Sequence, residues 1–227
     1  MFEDNHLIII NKHSSDIVQG DKTGDIPLSE LVKSFLKKKY NKPGDAFIGV
    51  VHRLDRPVSG AVIFAKTSKA LARMNKMIKE GQLDKTYLAV VEKRPPKTED
   101  KLVNYLKKNP KQNKSYVVKQ GAKDAKRAEL IYKHIASGKT YHLVEVKLLT
   151  GRHHQIRAQL SNIGCVIKGD LKYGAKRSNP NGSISLHARK ITFVHPVKKE
   201  KMSVMAPVPD SDEWKWFDIT LYQQEFS

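Results

Sequence analysis

Hydrophobic positions along this chain fall into short runs separated by charged stretches. "HLIIINK" (residues 6–12) and "AVIFAK" (61–66) are apolar runs rich in β-branched residues and predict strands, as does "KTYLAVVEK" (85–93). In "KTYHLVEVKLLTG" (139–151), His142, Val144, Val146 and Leu148 fall on one face and Leu143 and Glu145 on the other, the period of two of a strand. "SLHARKITFVHP" (185–196) predicts a further strand, ended by Pro196. Two stretches switch to helical spacing. In "TSKALARMNKMIKEGQ" (67–82) Leu71, Met74 and Ile78 share a face, Thr67 or Ser68 can cap the start, and Gly81 can end it. In "RHHQIRAQLSNIG" (152–164) Ile156, Leu160 and Ile163 lie on one side and Gly164 is the stop. No repeat of 20–50 residues is present. The nearest approach to a linker is "KRPPKTED" (93–100), which leads into a basic segment. The pattern is that of a compact α+β protein, read as a single domain over residues 1–227.

Charge narrows the partner. Lys and Arg number 42 against 23 Asp and Glu, a net charge of +19 across 227 residues. Such an excess attracts phosphate backbones or anionic membrane surfaces. No apolar run approaches the length of a spanning helix, and the opening "MFEDNHLIIINK" is neither a signal peptide nor a basic amphipathic anchor. Cys165 is the only cysteine, which excludes an internal disulfide and fits a reducing, cytoplasmic location. Nucleic acid is the expected partner, although charge does not separate RNA from DNA. From Lys97 to Arg127 ten basic residues face only Glu99, Asp100 and Asp124, with Tyr105 and Tyr116 interleaved. This segment reads either as a solvated loop or hairpin or as a flap that contacts phosphates, and the two are compatible.

Candidate chemistry is sparse. His153 and His154 in "GRHHQIR" invite a metal, but neighbours on a helix point about 100° apart and would not share one ion. No HExxH, cysteine pair, EF-hand loop, P-loop or GxGxxG is present, so neither a metal nor a nucleotide cofactor is expected. What remains is an acid, Asp55, set between Arg53 and Arg56 in "VHRLDRPVSG" (51–60). Positive neighbours keep a carboxylate ionised, which suits a nucleophile or general base and not a general acid. An isolated "LDR" would be an ordinary turn aspartate paired with a surface arginine.

Five stretches in order alter that reading. "FEDNHLIIINK", "VHRLDRPVSG" with "AVIFAK", "KTYLAVV", "TGRHHQIRAQL" and "SLHARKITFVHP" together resemble the RluA-type family of RNA pseudouridine synthases, from about residue 2 to about 197. The HRLD-x-x-x-SG and GR-x-HQIR pieces are long and specific. The resemblance implies the pseudouridine synthase catalytic fold, a mixed, largely antiparallel β-sheet core with flanking helices. It also implies an isomerase that turns specific uridines of structured RNA, ribosomal or transfer, into pseudouridine without cofactor or metal. Residue by residue, it makes Asp55 the catalytic aspartate, attacking C1′ or deprotonating C2′ of the ribose. Tyr87 would pack on the target base, and Arg157 would pair with the aspartate and keep it ionised beside RNA phosphates. Arg53 would fill the gap left by a flipped base, at a site where unstacking costs a few kcal/mol. Leu186 would line the uracil pocket, and His52 and Arg56 would lie on the substrate side. His52 and His187 also read as hydrogen-bonded pocket or core residues. The chain departs from the family at Val58, where a threonine is usual, and at "NKHSSD", where N-K-P-x-G is common. Neither an S4-like RNA-binding module ahead of the catalytic region nor an oligomer is expected.

Two other classes stay open on sequence alone. A non-catalytic RNA clamp would have no use for an acid facing phosphates. A hydrolase would need a metal or a His–Asp pair aimed at phosphate and would respond to EDTA.

Overall fold

The computed structural model describes residues 1–217 except Lys22 and Lys42. They group into two compact units: Met1–Asp84 with Ala188–Pro207, and Lys85–His187 with the segment from Val208 onward. The expected α+β class holds, and most of the strand pairs are antiparallel.

The first unit contains β1 (Phe2–Glu3), β2 (Leu7–Lys12), α1 (Leu28–Lys39), β3 (Gly49–Val50), β4 (Ser59–Ala65) and α2 (Ser68–Lys79). It also holds β10 (Leu186–Val194) from Ala188 on, and β11 (Lys201–Met205). The sheet runs β1-β2-β4-β10, with β3 also on β4 and β11 on β10. All seven residues of β4 are buried, which explains its continuous apolar run. Leu7, Ile9, Ile63, Met74, Ile191 and Phe193 form the core, each worth about 1.5–3 kcal/mol of burial. Gly60 has φ +117°, and a Cβ there would run into the backbone of Ala188. The glycine of "SG" is thus required by the close approach of β4 and β10. α2 starts as expected, with Thr67 Oγ1 accepting from the Ala70 N–H at 3.1 Å.

Beside this sheet Glu3 is held by Lys39 (2.6 Å), Lys66 (2.7 Å) and the Tyr40 hydroxyl (2.6 Å). Burial alone would raise its carboxyl; these three hydrogen bonds overcome that and hold it at about 2, against an ordinary 4.5. A depressed acid stabilises the fold above its unfolded value and loses that contribution as pH falls through its folded one. Glu3→Gln is therefore expected to be less stable than wild type at neutral pH, with the gap closing between about 4.5 and about 2. Urea midpoints across that range check this; a gap independent of pH would contradict it.

The second unit contains β5 (Asp84–Val91, from Lys85 on), β6 (Glu99–Asn109), β7 (Lys114–Val118), β8 (Lys126–Ser137), β9 (His142–Leu148), α3 (Gln155–Asn162) and α4 (Asp212–Lys215). Its sheet runs β5-β9-β8-β6-β7. The basic segment 97–127 is thus largely sheet: β6 and β7 form a hairpin that turns through residues 110–113, and β6 pairs with β8. Lys107, Lys108 and Lys111 stay exposed at the hairpin end while Leu102 and Leu106 point inward. α3 packs on this sheet through Ala158, against Leu106, Ala128 and Tyr173. Gln159 pins it, donating to Asn104 Oδ1 at 2.8 Å.

Candidate active site

Asp55 sits half-buried in the loop between β3 and β4. The loop is a tight turn, with the Val58 N–H donating to the Asp55 carbonyl at 3.0 Å. A lysine fixes it from beneath. Lys12, 1% exposed at the end of β2, donates from Nζ to the carbonyls of Val58 (2.6 Å), Arg56 (3.0 Å) and His13 (2.9 Å). Those three acceptors use all three ammonium donors. Burial pushes the Lys12 amine down to about 8, partly offset by the carboxylates of Asp16 and Asp55. The Ser15 N–H also donates to the Arg56 carbonyl at 3.0 Å. The aspartate's backbone is therefore held by groups that do not use its side chain.

The flanking residues divide. Arg53 is exposed, with no side-chain partner among the described residues. Arg56 is engaged within its own unit, donating to Asp25 (2.6 Å) and Thr23 Oγ1 (2.7 Å). His52 accepts at Nε2 from the Ile63 N–H at 3.2 Å, so that nitrogen is used by β4. Val58 is 2% exposed and sits where the family pattern has a hydroxyl.

In the second unit, period two places Tyr87 on a definite face. Tyr87 pairs with Val146, which pairs with Tyr132, and Tyr132 shares its face with Leu130 and Ala128. That is the face on which α3 packs, so Tyr87 and α3 lie on the same side of the sheet. Arg157 is on α3 and is 5% exposed. Its guanidinium forms a bidentate fork with Asp170, Nε to Oδ2 at 2.7 Å and the terminal nitrogen to Oδ1 at 2.8 Å. It also lies over the Tyr173 ring, 5.1 Å from the centroid. Asp170 is 1% exposed and reaches this place through Gly169, φ +86°, where a Cβ would stand 2.7 Å from the Ser183 carbonyl. Leu186 is buried at the start of β10, and His187 beside it packs edge-on to Trp214 at 5.9 Å.

The turn into α3 explains the remaining letters of "TGRHHQIR". Gln155 accepts from Thr150 Oγ1 (2.7 Å) and the Arg152 N–H (3.0 Å) and donates to the Glu129 carbonyl (2.9 Å). The geometry supposed for the two histidines is corrected. His154 precedes the helix at φ +53°, so helical spacing does not apply, and the rings of His153 and His154 stack at 3.8 Å and 17°. His153 bonds Ser115 and Asn113, and His154 bonds the Tyr173 hydroxyl. Among the described residues no group of three or more His, Cys, Asp or Glu could hold a metal ion.

Lys12, Asp170 and Tyr173 are further candidate site residues, which the sequence alone did not single out. Lys12 had a signal: period two puts it in phase with Ile8 and Ile10 on β2. "KGDLKYG" carries Asp170 and Tyr173, but nothing local to it marks them as partners of Arg157.

Comparisons with known proteins agree with this arrangement of motifs. Residues 6–162 match the family described as RNA pseudouridylate synthase. A ribosomal large subunit pseudouridine synthase C of Buchnera aphidicola subsp. Schizaphis graminum is 32% identical over 92% of this chain and 66% of its own. The enzyme of the same name from Rickettsia prowazekii is 30% identical over 92% and 67%. The chain thus spans about two thirds of the length of these relatives. Human RNA Pseudouridylate Synthase Domain Containing 4 superposes with a TM-score of 0.76 at 20% identity, over 92% of this chain and 88% of that one, and shows the fold. The matched motifs, the relatives and the fold place the chain in the RNA pseudouridylate synthase family, isomerases that convert uridine in RNA to pseudouridine.

Proposed function

We propose that this chain isomerises uridines of large-subunit ribosomal RNA, with Asp55 as the catalytic carboxylate. The observation that carries the reading is the Asp55 turn, whose backbone is fixed by a buried lysine at the carbonyls of Arg56 and Val58. Asp55 attacks C1′ or removes the C2′ proton; either breaks the bond between N1 and C1′. The uracil turns, C5 bonds to C1′, the C5 proton leaves, and N1 ends protonated. Tyr87, 7% exposed on a rigid strand, supplies an aromatic surface for the base. Leu186 supplies an apolar one. Arg157 carries the positive charge that acts with Asp55, oriented by Asp170 and Tyr173. Arg53, exposed beside the aspartate, takes the place of the extruded base.

The names of the two relatives support ribosomal RNA as substrate, and transfer RNA is the second reading for a family that reads shape and unpaired loops. The exposed lysines of the β6–β7 hairpin support a phosphate-contacting role for that element. No described helix is long and apolar enough to cross a membrane. We further infer a cytoplasmic monomer that needs no cofactor and docks RNA across one face.

Pseudouridine mapping of all stable RNAs in cells with and without the gene tests the assignment. The expected result is loss of one or a few sites in large-subunit ribosomal RNA. Loss confined to transfer RNA would overturn the substrate, and no loss anywhere would overturn the function.

A further inference from the structure

We propose that Lys85 is a phosphate-binding residue, its ammonium seated on the RNA phosphodiester beside the target nucleotide. This deepens the function proposed above and rests on it. Lys85 lies two residues before Tyr87 on β5, so both side chains leave the sheet on the same face. The register agrees, since Lys85 pairs with Leu148 and Leu148 with Leu130 of the α3-bearing face. Its Nζ packs against Gly151, 3.5 Å from where a Cβ on that residue would stand, at the turn leading from β9 into α3. The ammonium is thus fixed between the surface for the base and the turn that delivers Arg157.

Three other lysines withdrawn from water have evident acceptors. Lys12 has three carbonyls, Lys66 has Glu3 and the Asp4 carbonyl, and Lys168 has Asn179. Half-buried Lys85 has no hydrogen-bond or ion-pair partner among the described residues. Burial lowers its amine, and no carboxylate offsets the effect. A desolvated cation without a counter-charge is costly unless a ligand supplies one. The ligand that this site must hold brings phosphate oxygens, and lysine meets them as a compact point charge.

The test compares wild type, Lys85→Met and Lys85→Arg on bulk ribosomal RNA, measuring binding over a salt series and turnover on the same RNA. Lys85→Met is expected to raise KM roughly tenfold with kcat within about twofold, the loss of one charge-assisted contact. Its slope of log affinity against log salt should be shallower by about 0.7. Lys85→Arg should restore both, and Lys85→Met should melt no lower than wild type, because a desolvated charge is gone. An unchanged slope and KM would overturn the proposal, as would a fall in kcat alone. If the slope changes as stated while wild type makes no pseudouridine in any RNA, the phosphate site stands and the assigned reaction falls.

Discussion

Asp55→Asn is expected to reduce pseudouridine formation to background while RNA affinity stays the same or rises. Asparagine matches the aspartate in size but offers no anionic oxygen for C1′ and no base for C2′. The contacts that set the turn run from Lys12 to the carbonyls of Arg56 and Val58 and from the Val58 N–H to the Asp55 carbonyl. None of them passes through the side chain. Removing a negative charge from a protein of net charge +19 also removes a local repulsion toward phosphates. The two readouts must therefore move apart, turnover lost and binding kept. A variant with wild-type turnover would take Asp55 out of the mechanism.

Asp170→Asn has the second large effect. Asp170 and Arg157 are 1% and 5% exposed and joined by two short charge-assisted hydrogen bonds. Substituting one partner of such a buried pair costs about 3–5 kcal/mol, because the charge left behind is poorly solvated. Asparagine keeps one acceptor, so the lower end, about 3 kcal/mol, is expected in urea unfolding. Asp170 acts through Arg157 as a positioning residue. Turnover should accordingly fall in kcat, with KM within about twofold, at temperatures where the variant remains folded. Asp170→Glu should restore part of the stability and little of the rate, since its longer arm offsets the fork. Equal stability and kcat for Asp170→Asn and wild type would mean that the fork does not orient Arg157.

Much of this was legible from residues alone. β2, β4, β5, β9 and β10 are runs of β-branched or alternating residues and formed where the pattern placed them. α2 took its cap from Thr67. The hairpin was less legible, because its inward row interrupts Leu102 and Leu106 with Asn104, a polar residue satisfied by Gln159 from another element. α1 was passed over, although Leu28, Val32 and Leu36 follow helical spacing, because Leu31 and Phe35 on the exposed side blur the contrast. Among the candidate site residues, the motifs supplied Asp55, Tyr87 and Arg157. The fork to Asp170 depends on a chain reversal through Gly164 and Gly169, both at positive φ, and no local pattern announces which side chains such a reversal brings together. Lys12 hid because lysine is ordinarily a surface residue, and only three convergent carbonyls make its burial tolerable.

The central claim is that this protein moves the glycosidic bond of uridine from N1 to C5 by means of Asp55. Isomerisation must release the hydrogen on C5, so the most direct measurement uses ribosomal RNA labelled with tritium at C5 of uridine. The account predicts release of tritium to water by the wild-type protein, in step with pseudouridine formed and without added cofactor or metal, and none by Asp55→Asn. Wild-type protein that binds this RNA but releases no tritium from it, or from labelled transfer RNA, would contradict it.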